Sequence, residues 1–150
     1  MKKLVIGLAL AVLVYQLALR GGFLSHDASA TPPAASASAS ASDAIARAYE
    51  QQRSGVQVES EGVVEKVLKD DNDGSRHQRF IVRVPSGQTI LIAHNIDLAP
   101  RVDSLREGDR ISFSGEYEWN DKGGAVHWTH RDPSGRHVAG WLRHDGHVYQ

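Results

Sequence analysis

The residues with the greatest capacity for chemistry lie in one segment, His127 to His137, with the sequence HWTHRDPSGRH. This segment combines imidazole, carboxylate and guanidinium groups, which bind metals or phosphates and transfer protons. The chain has eight histidines and no cysteine. A metal site must therefore use His, Asp or Glu, and no thiolate can act as a nucleophile. No Gly-x-Ser-x-Gly motif or phosphate-binding glycine loop occurs in the sequence.

A metal site is one interpretation of this segment. His130, Asp132 and His137 can meet through the turn at 133–135, and imidazole with carboxylate is a suitable donor set for zinc. The spacing matches no established zinc signature. The alternative is that these side chains cap turns and bind backbone carbonyl groups around Asp132.

A phosphate- or carboxylate-binding surface is the second interpretation. Arginine side chains make bidentate contacts with such anions, and an exposed tryptophan supplies a stacking face. The predicted ligand-binding residues are Arg76, His77, Arg79, Arg83, Trp128, Arg131 and Arg136.

Two histidines are candidate catalytic bases, His94 and His127. Asp97 is close enough along the chain to orient His94. Asn95 and Asp97 also fit an Asx-type turn, which turn chemistry favours. His144 and His147 flank an Asp-Gly turn and are predicted to pair across a hairpin.

The elements that position these residues are predicted to be strands, because apolar and polar residues alternate along the second half of the chain. The predicted strands are 56–68, 79–84, 88–94, 109–119 and 125–130, followed by a hairpin of 141–144 and 147–150. Gly62 suggests a bulge or bend in the first strand. With an irregular segment at 96–106, the pattern predicts an all-β fold, a small five-stranded OB-like Greek-key barrel with a C-terminal β-hairpin. A β-sandwich is the main alternative.

Four regions follow from composition. Residues 1–30 combine a positive N-terminus with an apolar run, which indicates a signal peptide or an uncleaved signal anchor helix. Both outcomes place the rest of the chain outside the cytoplasm, in the bacterial periplasm, with inner-membrane association if the segment is uncleaved. Residues 31–42 are an Ala/Ser/Pro-rich linker that is predicted to be disordered. Residues 43–54 form a short helix capped by Asp43, and 55–150 form the β domain.

Five separated sequence blocks resemble a known family. They are RHQRF (76–80), AHNIDLAPR (93–101), GEYEWNDKGG (115–124), HWTHRDPSGRH (127–137) and GWL (140–142). This combination is similar to the bacterial exported family catalogued as domain of unknown function 3465. The resemblance covers residues 57–150, with the linker and His147 outside the matching blocks. It implies export and one domain, and it brings no assigned activity.

Two hypotheses for function follow. The first is an exported OB-like module that binds an anionic oligomer, such as nucleic acid or a charged glycan. The second is a metal-dependent hydrolase of the nuclease or phosphodiesterase type, with zinc or another divalent ion on the His127–His137 cluster. The net charge of −1 does not indicate a strongly basic nucleic-acid binder. Histidines gain charge as the pH falls, which favours anion binding near pH 6.

Overall fold

The structure is a computed structural model that describes residues 44–150. The predicted signal or anchor, the linker and the cap at Asp43 lie outside the described residues. A short helix, α1, covers residues 44–50, and its residues Ile45 and Ala48 are buried in the hydrophobic core. Within the described range, no helix is long and apolar enough to cross a membrane.

Seven strands follow α1. They are β1 (Val56–Val67), β2 (His77–Arg83), β3 (Thr89–Asn95), β4 (Arg110–Glu118), β5 (Ala125–His127), β6 (Trp141–His144) and β7 (His147–Tyr149). Their order agrees with the predicted strands, but β5 ends at His127 rather than at residue 130. The hairpin of β6 and β7 turns at Asp145 and Gly146, which both have positive φ angles. Two adjacent residues with positive φ are what a type I′ hairpin turn requires.

The first five strands form a closed barrel, in the order β1-β2-β3-β5-β4 with β4 returning to β1. β3 and β5 are parallel, and the other neighbouring strands of the barrel are antiparallel. β1 closes the barrel because it has two partners. Its residues 56–63 pair with β4, and its residues 63–67 pair with β2. The register shifts between Val64 and Lys66, where a bulge lets the strand bend.

Alternate residues of each strand fill the barrel. On β2, Phe80 and Val82 are fully buried, whereas Arg79 and Arg83 face outward, as the alternation predicts. Gln78 is also buried, and its amide makes two hydrogen bonds with Val102. Gln78 Nε2 donates to the Val102 carbonyl at 2.9 Å, and the Val102 N–H donates to Gln78 Oε1 at 2.9 Å. These bonds hold the turns of residues 96–109 against the barrel.

The sequence suggests a bulge or bend at Gly62, but the β1–β4 register is continuous through this residue. The bulge of β1 lies between Val64 and Lys66 instead. A Cβ atom at Gly62 would collide with the carbonyl oxygen of Arg83 and a methyl group of Val82. The glycine therefore allows β1 to cross β2 closely, which is the second usual reason for a glycine inside a strand.

We expect Gly62→Ala to lower the free energy of unfolding by about 1–3 kcal/mol, the usual cost of overpacking a well-packed site. Glu59→Ala, an exposed change on the same strand, should alter it by less than about 0.5 kcal/mol. Chemical denaturation of both variants measures the difference. Equal stability of the two variants would contradict the close crossing.

Candidate functional site

The chain leaves β5 through a sharp turn at Trp128, whose φ angle is 54°. This left-handed conformation is uncommon for a large residue. The next two residues, Thr129 and His130, are buried. The N–H of Gly140 donates to the His130 carbonyl at 3.0 Å, which closes the base of a loop. Residues 131–139 are called the Asp132 loop below.

Asp132 organises this loop. Its carboxylate accepts hydrogen bonds from the N–H groups of Ser134, Arg136 and His137, at 2.8, 2.8 and 3.0 Å. It also accepts the Ser134 hydroxyl at 2.7 Å. The bonds from Ser134, followed by those from the other amides, hold the pKa of Asp132 well below its usual range. The carboxylate therefore acts as a turn cap, with its acceptor sites occupied by the loop itself.

The structure does not bring the predicted zinc ligands His130, Asp132 and His137 together. His130 Nδ1 lies 2.8 Å from the carbonyl oxygen of the next residue, and His137 Nδ1 lies 3.2 Å from a glutamate of β4. The physical reason is that the loop amides occupy Asp132 while His130 is buried below the loop. These contacts agree with the alternative interpretation of the sequence, in which the side chains cap turns and bind backbone groups around Asp132.

A different trio brings possible metal ligands close together. Among residues 44–150, the only group of three such side chains is Glu116, Glu118 and His127, whose ligand atoms all lie within 4.8 Å of one another. Sequence reasoning included His127 but missed both glutamates. The available signal was their position on the polar face of β4, one hairpin away from His127.

His94 is buried, and both of its ring nitrogens are engaged. Nδ1 lies 2.8 Å from Thr129 Oγ1, and Nε2 lies 3.1 Å from the Pro100 carbonyl. Burial, supported by the nearby His130, lowers the pKa of His94 to about 4. An enclosed imidazole with both nitrogens occupied is poorly placed to accept a proton from an external substrate. The Asx turn is confirmed, because the Asp97 N–H donates to Asn95 Oδ1 at 2.9 Å.

The predicted arginines of β2 and its preceding loop mostly contact carboxylates. Arg76 Nε is 2.7 Å from Asp97, so Asp97 does not orient His94. Arg83 Nε is 2.6 Å from Glu65. Arg79 donates to the backbone carbonyl of residue 69 at 3.2 Å and lies 3.5 Å from the carboxylate of residue 71.

Arg131 and Arg136 are exposed on the Asp132 loop. Trp128 packs beneath this loop. Its ring stacks on the His137 ring, with centroids 3.7 Å apart and an interplanar angle of 13°. Of the other tryptophans, Trp119 packs against the core, and Trp141 lies under the guanidinium of Arg143 at 4.7 Å.

The two hairpin histidines, His144 and His147, pair across β6 and β7 as predicted. Their surroundings differ strongly. His144 is buried, and its Nε2 lies 2.9 Å from Asp109 Oδ2, while His147 is exposed. The His144–Asp109 contact attaches the C-terminal hairpin to the turn that precedes β4.

A cleft lies on the outer surface of β2, β3, β5 and the end of β4, and is called the β2–β3 cleft below. Its volume is about 290 Å³. Its lining residues are Asp71, His77, Arg79, Leu91, Ala93, Glu118, Ala125 and His127. Leu91, Ala93 and Ala125 form an apolar floor, and charged or imidazole groups form the rim. A smaller hollow of about 90 Å³ shares His77, Ala93 and His127 and extends to Trp128 and His130.

Comparison with known proteins gives one family. Residues 30–150 match the family model described as "Protein of unknown function (DUF3465)". The match includes His147 and the whole predicted linker, which lie outside the sequence blocks that carry the resemblance. No curated protein matches the chain at a significant level.

The buried His94 predicts a pH dependence of stability. Its folded-state pKa of about 4 is below the usual histidine pKa of 6.5, so the unfolded chain binds the proton more readily. The contribution of neutral His94 to the free energy of unfolding is fully present above pH 6.5 and is lost as the pH falls toward 4. We expect His94→Gln to reduce the loss of unfolding free energy between pH 7 and pH 4.5 by about 2 kcal/mol. Urea denaturation at both pH values tests this, and an unchanged pH slope would contradict it.

Asp132→Ala should open the Asp132 loop, because three amides lose their common acceptor. We expect faster hydrogen exchange at the amides of Ser134, Arg136 and His137, with the barrel amides unchanged. Asp73→Ala, in another exposed loop, is the control. Unchanged exchange at all three amides would show that Asp132 does not hold the loop.

Proposed function

We propose that this chain, which belongs to the DUF3465 family, is an exported OB-like module that binds an anionic oligomer in the β2–β3 cleft. The ligand class is nucleic acid or a charged glycan. The single observation that carries the proposal is the position of the cleft on the barrel. Export rests on the positive N-terminus and the apolar run within residues 1–30.

The OB-like assignment is supported by the barrel connectivity. The order β1-β2-β3-β5-β4, with closure onto β1 and one parallel pair of β3 with β5, suits a five-stranded Greek-key barrel. OB barrels bind oligomers on the face of strands 2 and 3, between the loop joining strands 1 and 2 and the loop joining strands 4 and 5. The β2–β3 cleft has this location. Asp71 of the first loop lines it, and a neighbouring hollow of about 190 Å³ includes Asn120 and Lys122 of the second.

The chemistry of the cleft is suited to an extended ligand with both apolar and anionic parts. Leu91, Ala93 and Ala125 offer a floor for a flat base or sugar ring. In the cleft, Arg79 supplies positive charge beside the carboxylates of Asp71 and Glu118. Arg131 and Arg136 add exposed positive charge on the Asp132 loop. Because such contacts neutralise ligand charge, we expect the affinity to fall with rising salt.

The metal-dependent hydrolase has less support as an alternative. Its ligands His130, Asp132 and His137 make the separate contacts described above, and His94 is enclosed. His127 is the one member of that hypothesis that lines the cleft.

A bulky residue in the cleft floor should block binding. We expect the full-length chain to bind oligonucleotides or charged glycans at low salt and pH 6, and Ala93→Phe to weaken this binding at least ~10-fold, or about 1.4 kcal/mol. Fluorescence anisotropy with labelled oligomers gives both affinities.

Ser112→Phe is the matched control, because Ser112 is half-buried on β4 and lines none of the hollows described above. It should bind like the unmodified chain. No binding of either ligand class at low salt would overturn the proposed function. Equal weakening by both substitutions would remove the cleft as the binding site.

A further inference from the structure

The outer faces of β4 and β5 bring three acidic or imidazole side chains together. Glu116 and His127 are direct partners in the antiparallel ladder, and Glu118 is two residues further along β4 on the same face. Directly opposed and diagonal neighbours on one face of a sheet are within reach of each other. Each of these side chains has a ligand atom within 4.8 Å of the other two.

His127 supplies an independent sign that this cluster has a ligand. Its side chain is 38% exposed as a whole, but the Nε2 atom itself is shielded from solvent and has no hydrogen-bond partner among the described residues. Most buried polar atoms are hydrogen-bonded, because leaving one unsatisfied costs roughly 1–3 kcal/mol. The Glu118 carboxylate is 3.9 Å away, beyond hydrogen-bond distance. Two donors on one ion, each at about 2.0–2.2 Å, are separated by up to about 4 Å.

Glu116 has a partner of its own on the Asp132 loop. His137 Nδ1 lies 3.2 Å from Glu116 Oε2, and the His137 ring is fixed by stacking on Trp128. The His137 backbone N–H is in turn bound to Asp132. Carboxylates that bind metals usually have such a partner, which orients them and leaves the other oxygen for the ion. The Asp132 loop therefore acts as a support for Glu116.

We propose that Glu116, Glu118 and His127 form a site for a divalent transition-metal ion, with Zn²⁺ as the principal candidate. One imidazole nitrogen and two carboxylate oxygens suit zinc, and three protein ligands leave at least one coordination position open. Glu118 and His127 also line the β2–β3 cleft, so an ion held by them would be reached from the cleft. His137 is a positioning residue that acts through Glu116. The site does not depend on the proposed oligomer binding.

The test is calorimetric titration of Zn²⁺ into the full-length, untagged chain after removal of metals by a chelator, with no oligomer present. We expect one ion per chain. Glu118→Gln, which keeps the shape of the side chain, and His127→Gln should each weaken binding at least ~10-fold. His137→Phe keeps an aromatic ring over Trp128 but loses the bond to Glu116, and it should weaken binding ~10–100-fold.

His147→Gln is the matched control, because His147 is an exposed histidine of β7 outside the cluster. It should leave the affinity for Zn²⁺ unchanged. Circular dichroism shows whether each variant is folded. If His127→Gln does not fold, the Zn²⁺ affinity of Glu118→Gln alone tests the site. Absence of Zn²⁺ binding, or binding that is unchanged in Glu118→Gln, would overturn the site. Zn²⁺ binding without oligomer binding would support the metal site and contradict only the proposed function.

Discussion

The dual pairing of β1 is the constraint on which the rest of the structure depends. One strand pairs with β4 along residues 56–63 and with β2 along residues 63–67, so the sheet closes on itself. Closure fixes the relative positions of β2, β3 and β5, and these positions create the β2–β3 cleft. The glycine at 62 and the bulge before Lys66 provide the close crossing and the bend that this pairing needs. Without cysteine, no disulfide assists the closure.

Polar side chains in the histidine-rich region divide between support and surface. His94, His130 and His144 are buried, with partners in the protein. The Asp132 carboxylate accepts hydrogen bonds from backbone N–H groups of its own loop. What remains open to a ligand is the outer face of the sheet, where acidic, basic and imidazole groups surround an apolar floor. A small domain thus uses some of its histidines to join segments and keeps others for its surface.

The barrel could be predicted from the sequence further than the site could. Alternation along β2 separates Phe80 and Val82 from Arg79 and Arg83, and the Asp145-Gly146 pair identifies the final hairpin, because both signals are local. The neighbours of each histidine depend on the register between β4 and β5 and on the φ angle of Trp128. Trp128 turns the chain just after His127, so His127 stays on the sheet face while His130 enters the interior. The pairing of Glu116 with His127 is set by the length of the intervening hairpin. No spacing rule for metal ligands contains that information.

The closing ladder also has a consequence for how the chain acquires its fold. The partners in the β1–β4 ladder, from Val56 with Tyr117 to Val63 with Arg110, are separated by about 47 to 61 positions along the chain. Contacts so distant in sequence form slowly, since a long loop must close before they contribute. During synthesis, β1 emerges first and must wait for β4. Exposed charges on β1, among them Glu59, Glu65 and Lys66, would oppose its association with other unpaired strands in this interval, as charges beside hydrophobic strands generally do.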